Sequence, residues 1–224
     1  MEFNVQKLHP ALEPGQRLML TGSNIAAFSY QGSWDGGCAL HSAAMAMAML
    51  GRLSNPLRLT WRRGGAEAKF WKGAGPHYLS GITLDDLSTL IRELDWDLRP
   101  IACERANTEA IQFCERELSR GWPVVVSWRE RHRAQEHAVL VVGVEGRKDG
   151  RAFRPHTLLA LDPAECEPSL TVYNARITWT ASGRRKDDEH MRYVTASYRR
   201  SIVVTGAISI RTVGKPTGRI GKLP

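Results

Sequence analysis

The chain has 224 residues, enough for one domain with a substantial core, and with 42% apolar and 24% charged residues it reads as globular rather than disordered. No apolar run approaches the roughly 18 residues needed to cross a membrane, and the N-terminal MEFNVQKLHPALEPGQR has no apolar stretch of the signal-peptide kind. The net charge of +8 sits in the last third: residues 1–145 hold 16 Lys/Arg and 16 Asp/Glu, residues 146–224 hold 15 and 7, which suits an acidic partner, while no nucleic-acid-binding motif accompanies the charge.

Residues 1–27 read as an N-terminal arm. Pro10, Pro14 and Gly15 make residues 1–17 irregular. A short apolar strand and a turn at Gly22–Asn24 follow, leading to Gln31. The stretch QGSWDGGCALHSAAMAMAML, Gln31 to Leu50, then puts a cysteine at the opening of a helix. Ala and Met favour helix over strand. Apolar residues on nearly every face predict a central, buried helix that stops near Gly51. Residues 52–81 read as a loop-rich excursion with a short helix around Ala66–Trp71.

ITLDDLSTLIRELDW is a capped helix: Thr83 is the N-cap, Asp85 and Asp86 occupy the first turn, and Leu84, Leu87, Leu90, Ile91 and Leu94 recur at helical spacing. LRPIAC is a strand, and Asn107 caps a further helix to about Ser119. From Gly121 the chain turns to β. WPVVVSW, HAVLVVGVEG and HTLLALD are apolar, β-branched runs of strand length, with a hairpin dipeptide at Asp149–Gly150. SLTVYNARITWT and YVTASYRRSIVVTGAISI add more strand, and TVGKPTGRIGKLP is a basic tail. Helices followed by antiparallel strands give the α+β class. The expected organisation is an arm at 1–27, one domain at 28–210 (helical to about 120, β from about 121), and a tail at 211–224.

Cys38 carries the chemistry. A helix start offers free N–H groups and a partial positive charge, which favour a thiolate, the nucleophilic form of cysteine. The competing reading is a small buried hydrophobe. Cys103 and Cys114 read as structural, and no C-x-x-C pair points to a metal. Thiol catalysis needs a base and a group to orient it. His137 opens the strand HAVLVVGVEG and Asp162 closes HTLLALD. If these strands pair as a hairpin, the two residues share one end of the sheet. Gln31 and the Cys38 backbone N–H can then serve as oxyanion donors. His41 and His132 compete for the base, but neither stands before an apolar strand. Arg129, Arg131 and Arg133 flank the expected cleft and would favour acidic groups on a substrate; Trp122 and Trp128 line it or pack the core.

The joint pattern of Gln31, Gly36–Leu50, TLDDLSTLIRE, GWPVVVSW, HAVLVVGV and LLALDP resembles the papain-like cysteine peptidases, within them the bacterial group related to double-glycine leader peptidases, over about residues 28–165. The resemblance implies a helical lobe carrying the nucleophile helix packed on an antiparallel β-sheet lobe. It implies Cys38 as nucleophile, His137 as general base, Asp162 as its orienter and Gln31 in the oxyanion hole. It implies no cofactor and no metal, and a protein or peptide substrate. Four features depart from the family. Gln31 and Cys38 are seven apart rather than six, Trp34 precedes the cysteine instead of following it, the 25-residue step from His137 to Asp162 is long, and residues after about 168 are uncovered. A deamidase, transglutaminase or acyltransferase would share the Cys, His, Asp order, and an inactive peptidase-like binding module is a third reading. The expected location is the cytoplasm, or export without a signal peptide as a processing enzyme or delivered effector.

Overall fold

The computed structural model of the chain describes residues 2–33, 35–60, 64–104, 108–180 and 190–213. Trp34, the Asn107 cap and the tail from 214 lie outside them. Three stretches expected as helix form: α1 (Cys38–Met49), α2 (Ala66–Ala74) and α3 (Leu84–Glu93). A fourth, α4 (Thr108–Ser119), follows the strand Leu98–Cys103. Every residue of α1 from Ala39 to Ala48 is buried, as its all-round apolar sequence requires. Gly51 ends that helix at φ +69, with the Arg52 N–H reaching back to Met47 O at 2.8 Å. Thr83 caps α3, its Oγ1 accepting from the Asp86 N–H at 3.1 Å.

The N-terminal arm is more ordered than its Pro and Gly content predicts. Glu2–Leu8 is a strand, β1, antiparallel to the far half of a long later strand. Leu12–Glu13 and Met19–Leu20 (β2 and β3) make a small separate sheet. With β4 (Leu98–Cys103), the remaining strands are β5 (Val124–Glu130), β6 (Glu136–Asp149), β7 (Ala152–Leu161), β8 (Ala175–Thr180), β9 (His190–Thr195) and β10 (Arg199–Thr212). YVTASYRRSIVVTGAISI, which reads as continuous β in sequence, is the β9–β10 hairpin, turning at Thr195–Tyr198.

Strands β5 to β10 pair in sequence, all antiparallel, and β10 returns to pair with β5. The result is a closed six-stranded barrel, with β4 added along β10 and β1 along β6. Closure satisfies the edges that an open sheet would expose.

Alternation along these strands divides them between two cores. Val125, Ala138, Leu140, Val142, Ile208 and Ile210 join the core built around α1 and α3. Val124, Val126, Trp128, Val139, Val141, Leu158 and Ala160 point into the barrel. Strands buried on both faces must be apolar throughout, which is why VVVSW and AVLVV show no polar alternation. Helix α1 lies across β6 and β5, and Ser42 Oγ donates to Ala138 O at 3.4 Å across that seam.

Candidate active site

The inward-facing positions of β5, β6 and β7 continue, at one barrel mouth, to Trp128, His137 and Asp162. Residues 137, 139 and 141 share a face, as do 158, 160 and 162. The β6–β7 register sets Leu140 opposite Leu161, so the strand start at His137 and the residue after β7 arrive at the same end. The 25-residue step between them is the long hairpin, turned at Gly150 with φ +56.

His137 Nε2–H donates to Asp162 Oδ1 at 2.8 Å. The Cys38 thiol lies near enough to the ring to raise its pKa. With Nε2 engaged, Nδ1 is the ring nitrogen left for another partner. Cys38 is the first residue of α1, half-buried, with Sγ 4.0 Å from Gly36 O. Cys38 thus comes from the helical lobe and the His–Asp pair from the barrel.

Asp162 is fully buried and fully engaged. Oδ1 accepts a second bond from the Ala164 N–H at 2.9 Å, and Oδ2 accepts from Tyr193 Oη–H at 2.6 Å. Asn174 brackets the backbone on both sides, its Oδ1 accepting from Asp162 N–H at 2.7 Å and its Nδ2 donating to Asp162 O at 2.9 Å. Burial alone would raise the Asp162 carboxyl. The hydrogen bond and charge of His137, with the bonds from Tyr193 and Ala164, hold it below the ordinary carboxylate value. Burial pulls His137 down, but the hydrogen bonds to Asp162 and Cys38, and their charges, prevail and raise the ring to about 10. Burial and the neighbouring Asp162 charge push the Tyr193 phenol well up, so it stays a donor.

Aromatic rings fix the histidine. Trp128 meets His137 edge-on at 5.3 Å between centroids and packs on Tyr193 at 4.3 Å. Trp128 is therefore a wall of the site and part of the barrel core together, whereas Trp122 joins the buried interior.

Gln31 is also brought to this mouth. Its backbone N–H donates to Pro163 O at 2.7 Å, beside Asp162. Its side-chain Nε2 donates to Asp35 O at 2.6 Å, and its Oε1 is buried without a hydrogen-bond partner. Asp35 is an unforeseen member of the site. Its carboxylate accepts from Gly32 N–H at 2.7 Å and Gly37 N–H at 3.0 Å.

The competing histidines stand apart. His41 is buried in a second network, with Nδ1–H donating to Ser29 Oγ at 2.8 Å while that hydroxyl donates to Pro56 O. Its Nε2 lies 3.8 Å from Asp35 Oδ2. Burial lowers its pKa against the pull of Asp35. His132 is exposed in the β5–β6 turn. In that turn Arg129 is spent on structure, donating to the carbonyls of Arg131 and Arg133 at 3.5 and 3.3 Å.

Tyr193, Asn174 and Asp35 were not legible as site residues. Tyr193 lies 31 positions from Asp162 on a strand that only barrel closure brings near. Asp35 did carry a signal, an acidic residue just before a Gly-Gly turn and a helix start. A groove of about 780 Å³ between β4 and α4, lined by Ile101, Cys103, Glu109, Phe113, Arg116 and Arg211 among others, contains none of the site residues. Among the described residues no cluster of three or more His, Cys, Asp or Glu side chains could hold a metal. No protein-family model matches the chain, and no curated protein does.

Proposed function

We propose that the chain is a papain-like cysteine peptidase that cleaves a peptide or isopeptide bond through Cys38, His137 and Asp162. The observation that carries this reading is the His137 ring bonded to the buried Asp162 carboxylate, with the Cys38 thiol near enough to the same ring to raise its pKa. His137 takes the thiol proton as general base, which leaves sulfur as the nucleophile. Sulfur adds to the substrate carbonyl carbon, and the new oxyanion is met by the Cys38 backbone N–H and the second N–H of the Gln31 amide. The imidazolium gives its proton to the leaving amine. His137, now neutral, takes a proton from water, which attacks the thioester and frees the acid and Cys38. Asp162 keeps the ring in the tautomer that presents Nδ1 to sulfur.

The test is thiol alkylation by iodoacetamide across pH under reducing conditions, with peptide mapping. Cys38 is expected to react fastest of the four cysteines at about pH 6, where an ordinary thiol is almost wholly protonated, and to lose that advantage in His137→Ala. Cleavage of a mixed peptide library should vanish in Cys38→Ala and His137→Ala and be reduced less by Asp162→Asn, which orients rather than reacts. Undiminished cleavage in Cys38→Ala would end the proposal. So would a Cys38 that alkylates no faster than Cys103 or Cys166.

A further inference from the structure

We infer that Asp35 is the positioning residue of the oxyanion pocket, holding Gln31 and the start of α1 in one fixed arrangement. The inference rests on the thiol-catalysis reading above and adds a residue that the Cys–His–Asp line does not contain.

Both ends of the loop that joins Gln31 to Cys38 are tied to this one side chain. Oδ2 holds the N–H of Gly32, the residue after Gln31, and Oδ1 holds the N–H of Gly37, the residue before Cys38. The main-chain carbonyl of Asp35 takes one N–H of the Gln31 amide at 2.6 Å, which fixes how that amide is turned. The carboxylate is only 4% exposed, and, together with burial, its charge helps to raise the pKa of the nearby Tyr78 phenol. A buried carboxylate is costly unless its lone pairs are filled. Here each oxygen takes one backbone N–H, and those two groups flank the proposed oxyanion donors. From the other side the loop is pressed by Tyr78–Gly81: Gly36 N–H donates to Tyr78 O at 3.0 Å.

The arrangement accounts for the seven-residue spacing from Gln31 to Cys38. The bond from Gly32 N–H to Asp35 Oδ2 holds these two residues close together, which shortens the path from Gln31 to Cys38. The direction of the Gln31 amide is then set by Asp35 and not by loop length.

Two reagents separate this role from a merely structural one. Iodoacetamide is attacked at a saturated carbon: a C–S bond forms, iodide leaves, and no oxyanion arises. p-Nitrophenyl acetate is attacked at its carbonyl carbon: a C–S bond forms, an oxyanion develops, and the C–O bond breaks to release p-nitrophenolate. Rates at Cys38 with both reagents would be measured at neutral pH in the full chain, in Asp35→Ala and in Asp35→Asn, with Cys38→Ala as the blank. The expected result is alkylation little changed and acylation slowed about 10- to 100-fold in Asp35→Ala, somewhat below the loss from deleting an oxyanion donor outright. Asp35→Asn, which keeps one acceptor oxygen, should fall between. Equal loss of both rates, or loss of neither, would overturn the proposal. If Asp35→Ala does not fold by circular dichroism, the near-isosteric Asp35→Asn decides by the same ratio. Failure of the underlying reading shows separately, as wild-type Cys38 alkylating no faster than in His137→Ala, and the positioning role would fall with it.

Discussion

Tyr193 holds Asp162 from the side opposite His137, and its loss should be felt mainly in stability. Tyr193→Phe removes one donor from a buried carboxylate, a bond of the class worth about 1.5–3 kcal/mol, while leaving the ring stack on Trp128 in place. Urea unfolding should report a loss of about 2 kcal/mol. Alkylation of Cys38 should slow less than in His137→Ala, because the bond from His137 Nε2 to Asp162 Oδ1 survives. A stability unchanged by the substitution would mean that the phenol contributes nothing to holding the carboxylate. Cys38, His137 and Asp162 could each be picked from the sequence because each sits at the boundary of an element with a clear local signal. Tyr193 could not, since its role depends on the register of β8 and β9 around a barrel, and nothing within several residues of it encodes that.

At the scale of elements, the start of α1 depends on what the neighbouring loop lets the chain do. A Cβ on Gly36 would lie 2.6 Å from Gly81 N and 2.7 Å from Leu79 O, backbone atoms that cannot swing aside. Gly36→Ala should therefore cost about 1–3 kcal/mol, as overpacking does, and displace the cysteine. Gly64→Ala, where a Cβ meets nothing within 4 Å, should leave the melting temperature unchanged. A tolerated Gly36→Ala would show that the loop Tyr78–Gly81 yields. The helices and the β5–β7 strands were readable because their apolar periodicity or runs are local properties. The β1 strand was not: its alternation is limited to Phe3 and Val5, all but one of its residues are exposed, and it is strand because β6 is long enough to offer it a partner. Closure of the barrel was equally hidden, because the pairing between β5 and β10 joins residues 72 to 85 positions apart.

For the whole molecule, two sets of histidines set opposite limits on pH. His137 is raised from 6.5 to about 10 by folding. Its contribution is fully present below 6.5 and is lost as pH rises towards 10. His9 and His41 are lowered from 6.5 by burial, so the unfolded chain gains protons first and stability falls as pH drops below 6.5. Asp162, lowered from 3.8, adds a further loss at still lower pH. The melting temperature should therefore decline on both sides of neutrality, and His137→Ala should flatten the alkaline side while leaving the decline due to His9 and His41 below 6.5 in place. An alkaline decline that persists in His137→Ala would place its origin elsewhere. The order of the strands has a separate consequence for how the protein is made. The strand that shuts the barrel, Arg199–Thr212, is also the last of its strands to leave the ribosome. Until it emerges, β5 has an unsealed edge and the β9 segment that carries Tyr193 has no closing neighbour. A nascent chain long enough to contain Cys38, His137 and Asp162 would thus still lack the closed wall behind them. The wall behind Cys38 would close only once residues 199–212 emerge, and chains arrested before residue 199 should show no preferential labelling of Cys38.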